Sequence, residues 1–83
     1  FGTGERILSR SAPMKHMYIV QGGDVVIHGA RRPGDADQTD LTRGDVFGEE
    51  FLIPGFVAPY SATAASYTEV LIISRTAILH LLR

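Results

Sequence analysis

At 83 residues the chain has room for one small domain, which at this size buries only roughly 60–70% of the surface its unfolded form exposes, so the core is thin. Hydrophobic residues at 45% and charged residues at 20% argue against disorder. Eight Lys and Arg against nine Asp and Glu leave a formal net charge of -1, which offers no broad surface to nucleic acid, and the absence of cysteine excludes a disulfide framework, a thiol nucleophile and a thiolate zinc site.

In chain order, Arg6 to Ser9 is a short strand candidate, broken by Ser11-Ala12-Pro13. Met17-Tyr18-Ile19-Val20 and Val25-Val26-Ile27-His28 are two β-rich runs separated by Gly22-Gly23, which reads as a hairpin. Gly29 to Gln38, with Pro33-Gly34, is a polar loop, and Thr42-Arg43-Gly44-Asp45 is a turn leading into Val46-Phe47. Gly48 to Leu52 begins a short helix that Pro54-Gly55 stops. Ser61 to Ser66 alternates small apolar and hydroxyl residues, the pattern of a strand with one exposed face. Val70-Leu71-Ile72-Ile73 is the most β-prone run. After it, Ser74 or Thr76 caps a helix whose apolar residues are Ile78, Leu79, Leu81 and Leu82. Many short strands with frequent turns predict a mainly β fold, a barrel or jelly roll.

No apolar run approaches the roughly 18–20 residues of a membrane helix, so no direct membrane insertion is expected. The start, Phe1-Gly2-Thr3-Gly4-Glu5, has neither an initiator Met nor a signal-peptide pattern. The chain reads as an excerpt: one domain, residues 1–83, cut at both ends, whose closing helix continues past Arg83 in a larger protein.

Most chemical motifs fail on inspection. Gly2-Thr3-Gly4-Glu5-Arg6-Ile7 lacks both the third Gly and the preceding strand of a dinucleotide fingerprint. Counted from Asp35, a calcium loop would need Gly where Asp40 stands and Glu where Val46 stands. His16, His28 and His80 have no second His at metal-ligand spacing. Adjacent Glu49 and Glu50 do not share a face, so they make a poor acid–base pair. No catalytic residue and no metal ligand emerges, and the chain is not read as an enzyme.

One stretch remains. Gly44-Asp45-Val46-Phe47-Gly48-Glu49-Glu50-Phe51-Leu52 is followed by Pro59-Tyr60-Ser61-Ala62-Thr63. It combines a Gly whose bare backbone allows close approach, a carboxylate able to accept a hydroxyl's hydrogen bond, N–H groups at a helix start, and a strand of small and hydroxyl residues against which a phosphate can rest. On physical grounds alone, a turn, a short helix and an edge strand account for it equally well.

The stretch resembles the phosphate-binding cassette of the cyclic nucleotide-binding domain family, in which Phe-Gly-Glu and a nearby Leu precede Arg-Ser/Thr/Ala-Ala-Thr. Phe47-Gly48-Glu49 with Leu52 matches the first half and Ser61-Ala62-Thr63 the second. Gly4-Glu5 with Ile7, the run Met17 to Gly22, and Thr68 to Leu82 resemble the family's early strand, its Phe-Tyr-Ile-Ile-x-x-Gly hairpin and its last strand and helix. The resemblance implies an eight-stranded β-roll with a short cassette helix and a C-terminal helix start. It implies a cytoplasmic regulatory module, with no cofactor but cAMP or cGMP as ligand, the choice between them left open. Gly48 and Glu49 would hold the ribose 2′-hydroxyl and Ser61 with nearby backbone the cyclic phosphate. The candidate ligand-binding residues are Phe47, Gly48, Glu49, Glu50, Phe51, Leu52, Tyr60, Ser61, Ala62 and Thr63.

The sequence departs from the family at Tyr60, which stands where the phosphate-binding Arg is expected, and at Phe51, which stands at a position often small and is expected to crowd the pocket. Tyr offers one neutral donor where Arg offers a charged fork, so weak nucleotide binding is expected. These departures resemble the cyclic-nucleotide-binding homology domains of ether-à-go-go potassium channels, whereas Glu50 with Leu52 resembles the cassette of plant cyclic nucleotide-gated channels. Two functions follow: a nucleotide-responsive domain that moves the helix after it in an ion channel or other parent, or a ligand-free homology module that acts as a structural or gating domain. Contacts with the remainder of the parent through C-terminal helices, and homo-oligomers formed through that parent, are expected in both.

Overall fold

The computed structural model describes residues 1–31, 34–53 and 55–81. Arg32, Pro33, Pro54, Leu82, Arg83 and the side chains of Leu79 and Leu81 lie outside the described residues. Seven strands occur among those described: β1 Arg6–Leu8, β2 His16–Gly22, β3 Val25–His28, β4 Gln38–Leu41, β5 Val46–Phe47, β6 Ser61–Ala64 and β7 Glu69–Ser74. A one-turn 3₁₀ helix, Glu49–Leu52, lies between β5 and β6, and α1, Arg75–Leu81, follows β7. The fold is mainly β, as expected, although seven strands stand here where eight were anticipated.

The strands form two antiparallel sheets, in the orders β1-β6-β3-β4 and β5-β2-β7. Side chains from both sheets meet in one cluster that includes Val20, Val25, Ile27, Leu41, Phe47, Phe51, Tyr60 and Ala62. A fully buried aliphatic or aromatic side chain contributes about 1.5–3 kcal/mol, so in a domain this small a few such residues decide whether it folds.

The expected hairpin is not formed. β2 pairs with β5 and β7, whereas β3 pairs with β4 and β6, so the turn at Gly22–Asp24 carries the chain from one sheet to the other. The reason lies in the β6–β7 connection, which makes the same crossing. Asp24 N–H donates to Ser66 Oγ at 3.1 Å, and the buried Thr68 hydroxyl donates to the Asp24 carbonyl oxygen at 2.9 Å. Gly23, at φ +86°, sits so close to that connection that a Cβ would stand 2.3 Å from the Tyr67 carbonyl oxygen and 2.7 Å from Thr68 Oγ1. Docking, not strand pairing, sets this turn.

β6 also differs from its alternating pattern. It lies between β1 and β3, and Ser61, Ala62 and Ala64 are all buried, so it presents no open face. Side chains this small permit covering on both sides. At the other end, Ser74 Oγ accepts the Ala77 N–H at 3.2 Å and caps α1, and Ile78 packs on the core while Leu71 and Ile72 stay about half exposed at 45% and 51%.

Gly23→Ala is therefore expected to cost at least about 2 kcal/mol, from the left-handed backbone and the overlap with Tyr67 together. For a domain of this size that lowers Tm by about 10 °C, read by thermal melting in circular dichroism. A melt within about 2 °C of the parent would refute the docked-turn account.

Candidate functional site

Segment 48–60 joins β5 of one sheet to β6 of the other, and three sets of contacts fix it. At its start, Phe47 is fully buried and stacks on Tyr18, with ring centroids 4.8 Å apart and planes 14° apart. Gly48 follows at φ +82°, and a Cβ there would stand 2.9 Å from the His16 carbonyl oxygen and 3.1 Å from Tyr18 Cδ1. The missing side chain thus makes room for β2. In the middle, the 3₁₀ turn is closed by Phe51 N–H to the Gly48 carbonyl at 3.1 Å and Ile53 N–H to the Glu50 carbonyl at 2.9 Å. Toward its end, residues 56–58 lie along 11–14, with Ser11 N–H donating to the Ala58 carbonyl at 2.7 Å and Ala58 N–H to the Ala12 carbonyl at 3.0 Å.

The fold brings a polar cluster into this frame. Tyr60 is completely buried; its hydroxyl accepts the Gly48 N–H at 2.9 Å and donates to Glu50 Oε2 at 3.1 Å. Glu49 turns the other way and pairs with Arg31, whose Nη2 lies 2.8 Å from Glu49 Oε1 and also donates to the Val46 carbonyl at 3.0 Å. The two neighbouring carboxylates therefore have separate partners. The Arg31 guanidinium carbon stands 6.0 Å from the centroid of the Tyr60 ring.

Electrostatics keep both aromatic and cation in fixed states. Burial, then the charge of Glu50, push the Tyr60 phenol far above its ordinary value, so it stays neutral. Burial pulls the Arg31 pKa down, but the Glu49 bond and charge, with Tyr60 and Glu50, outweigh it and the net shift is upward. The guanidinium is charged at every working pH.

Of the other expected site residues, Ser61 and Ala62 are buried on β6 and Thr63 is half-buried beside them. Phe51 is fully buried in the core cluster, so its bulk goes into the hydrophobic interior, and Leu52 is exposed at 47%. The Phe51 carbonyl accepts a hydrogen bond from Arg75 of α1, whose guanidinium carbon lies 5.7 Å from the Phe51 ring centroid. Two open concavities lie elsewhere, one lined by Val20, Gln21, Arg43, Gly44 and Glu69 and one around Tyr67–Val70; neither includes a cassette residue. Arg31 and Arg75 were missed by sequence reasoning because both lie outside the motif, in a polar loop and at a helix start. The available signal for Arg31 was a loop arginine in a chain with Tyr60 at the position where the resemblance leads one to expect an arginine.

The family model of the cyclic nucleotide-binding domain matches residues 1–83. The chain belongs to that family. Among solved structures, the Thermus thermophilus catabolite activator protein is 27% identical, with a TM-score of 0.87 over 100% of this chain and 39% of its own. A protein of a cyclic-GMP-dependent signalling pathway that regulates bacterial phytopathogenesis is 22% identical, with a TM-score of 0.88 over 99% of this chain and 65% of its own. An EAL enzyme, Bd1971, in its cAMP-bound form is 23% identical, with a TM-score of 0.80 over 99% of this chain and 22% of its own. The last two establish the fold alone, and this domain spans less than two thirds of each of the three. No curated protein matches it in sequence. Among the described residues no helix is long and apolar enough to cross a membrane.

In this cyclic nucleotide-binding domain, Tyr60→Phe removes the acceptor of a buried N–H and the donor to Glu50. The expected loss is about 1–3 kcal/mol, the cost of leaving such groups unpaired. The same change tests the phenol's raised pKa. Above pH of about 10 the unfolded chain's Tyr60 ionises while the folded one keeps its proton, so stability is full below that pH and falls as pH rises. Urea titrations between pH 8 and 11 are expected to show a shallower alkaline decline in Tyr60→Phe than in the parent; identical declines would contradict it.

Proposed function

We propose that the domain binds cAMP or cGMP in the cassette formed by Phe47–Leu52 and Tyr60–Thr63, and that occupancy biases the position of α1 in a larger regulatory protein. The observation that carries this reading is the crossing segment itself. The Tyr60 hydroxyl holds the Gly48 N–H and the Glu50 carboxylate, which keeps the turn that bears Glu49 beside the start of β6, a strand of small and hydroxyl residues, while Glu49 itself is paired with Arg31. The names of the solved relatives, an activator protein and a cAMP-bound enzyme among them, support a nucleotide-binding module. The 27% match across the whole chain to a catabolite activator favours a bacterial-type regulator over a channel as the parent.

Coupling has a physical candidate in Arg75. Its bond to the Phe51 carbonyl and its place over the Phe51 ring tie the cassette turn to the first residue of α1. A ligand shifts that contact only through a difference in affinity between two arrangements.

Calorimetric titration with cAMP and cGMP is the direct test. Because no arginine stands at position 60, the expected Kd is weaker than about 1 µM for both, and tighter than about 1 mM for at least one. Sub-micromolar binding would refute the weakened cassette, and no binding at millimolar nucleotide would leave the ligand-free interaction module as the function. Arg75→Ala is expected to change affinity less than about threefold while abolishing the nucleotide-induced NMR shift of the Ile78 methyl groups. A shift of unchanged size in that variant would refute Arg75 as the link.

A further inference from the structure

The cassette has a charge problem that the family pattern does not solve here. A cyclic phosphate carries one negative charge, and it would enter a cluster that already holds Glu49 and Glu50. Tyr60 cannot help it: the phenol has a single O–H, which is given to Glu50, and its oxygen receives the Gly48 N–H. Burial and Glu50 also hold it neutral.

A cation is nevertheless present. Arg31 comes from the β3–β4 connection, far from the motif in sequence, and its side chain is only 16% exposed. It reaches the cassette through one nitrogen, Nη2, which serves both Glu49 and the Val46 carbonyl. Its Nε–H is buried and makes no hydrogen bond. A buried donor on a charged group without an acceptor is costly, and an anionic oxygen would satisfy it. The guanidinium also stands beside the ring of the residue that replaces the family arginine, 6.0 Å from its centroid. The charge is therefore displaced by about the width of one side chain rather than lost.

Resting on the proposed nucleotide-binding function, we infer that Arg31 is the anion-binding cation of this cassette and takes the cyclic phosphate in place of the residue at position 60. The Arg31–Glu49 pair then has two tasks in the bound state. Glu49 turns one oxygen to the ribose hydroxyl, and Arg31 turns its unbonded Nε–H to the phosphate. Arg31 then supplies through one shared side chain part of what an arginine at position 60 would give, and Tyr60 is left to close the crossing segment.

The test uses the chain with cAMP and cGMP as probes. Arg31→Gln is expected to lower the affinity of the better ligand at least tenfold, a change of about 1.4 kcal/mol. It is also expected to flatten the fall of affinity between low and high salt, because the phosphate contact is charge against charge. Arg31→Lys is expected to regain part of the affinity and the full salt dependence. In the parent, the Arg31 Nε–H signal is expected to move on adding cyclic nucleotide and to stay in place on adding the phosphate-free nucleoside, a reading that needs no variant to fold. Affinity that is unchanged or higher in Arg31→Gln would overturn the inference and make Arg31 a plug on Glu49. A loss of affinity with the salt dependence intact would also overturn it, since Arg31 would then act only by orienting Glu49. A folded parent that binds neither nucleotide would overturn the proposed function itself, and the role of Arg31 with it.

Discussion

A phenol buried away from water must both accept and donate a hydrogen bond, and at Tyr60 those two bonds hold the crossing segment closed. Gly48 and Tyr60 are the two ends of the stretch that leaves one sheet and joins the other, and the Gly48 N–H to Tyr60 hydroxyl bond ties them directly. Gly48 can adopt its positive φ, and can approach β2 so closely, only because it has no side chain. Its N–H is then turned inward, where it needs an acceptor. An arginine offers donors and no acceptor, so it could not take that N–H. Tyr60 is thus more than a lost arginine; it performs a structural task that an arginine at the same position cannot.

This assignment of tasks shapes the charge distribution around it. With Tyr60 neutral and engaged, the two carboxylates that follow Gly48 must find partners separately, Glu50 at the phenol and Glu49 at Arg31. The Arg31–Glu49 pair is too exposed at the Glu49 end, 33%, to contribute more than about 1 kcal/mol to stability. Its larger consequence is positional. It places a permanent positive charge beside the Tyr60 ring, and it fixes the direction of the Glu49 carboxylate.

Much of this was legible in the chain because local chemistry and fold agree. Short β-prone runs such as Val25–His28 and Val70–Ile73 became strands, the second within Glu69–Ser74, and Gly48 to Leu52 became the cassette turn because the residues that form it are neighbours. What could not be read depends on contacts between residues far apart in sequence. The Gly22–Gly23 turn looked like a hairpin because a two-strand pattern carries no information about Ser66 and Thr68, which pull it across to the second sheet. The small residues of β6 alternate as an exposed strand would, yet whether they are covered depends on its place between β1 and β3. Phe51 looked like an obstruction at the site, whereas its ring lies in the core. Arg31 carried no motif at all.

The cassette turn is also lightly held along most of its length. It is a single 3₁₀ turn, a geometry with poorer hydrogen bonds than an α-helix and rarely stable in long runs. Leu52 and Ile53, at its end, are about half exposed, so little apolar surface anchors that side. Phe51 is the exception, with its ring in the core, its N–H on the Gly48 carbonyl and its carbonyl on Arg75. A displacement of Glu49 by a ligand would therefore reach α1 through Phe51 rather than through the looser residues that follow it. The stiff residue lies between the two places where change is expected, and the soft residues lie beyond it. On the proposed function, that order would let a small rearrangement at Glu49 be passed on instead of being absorbed within the turn.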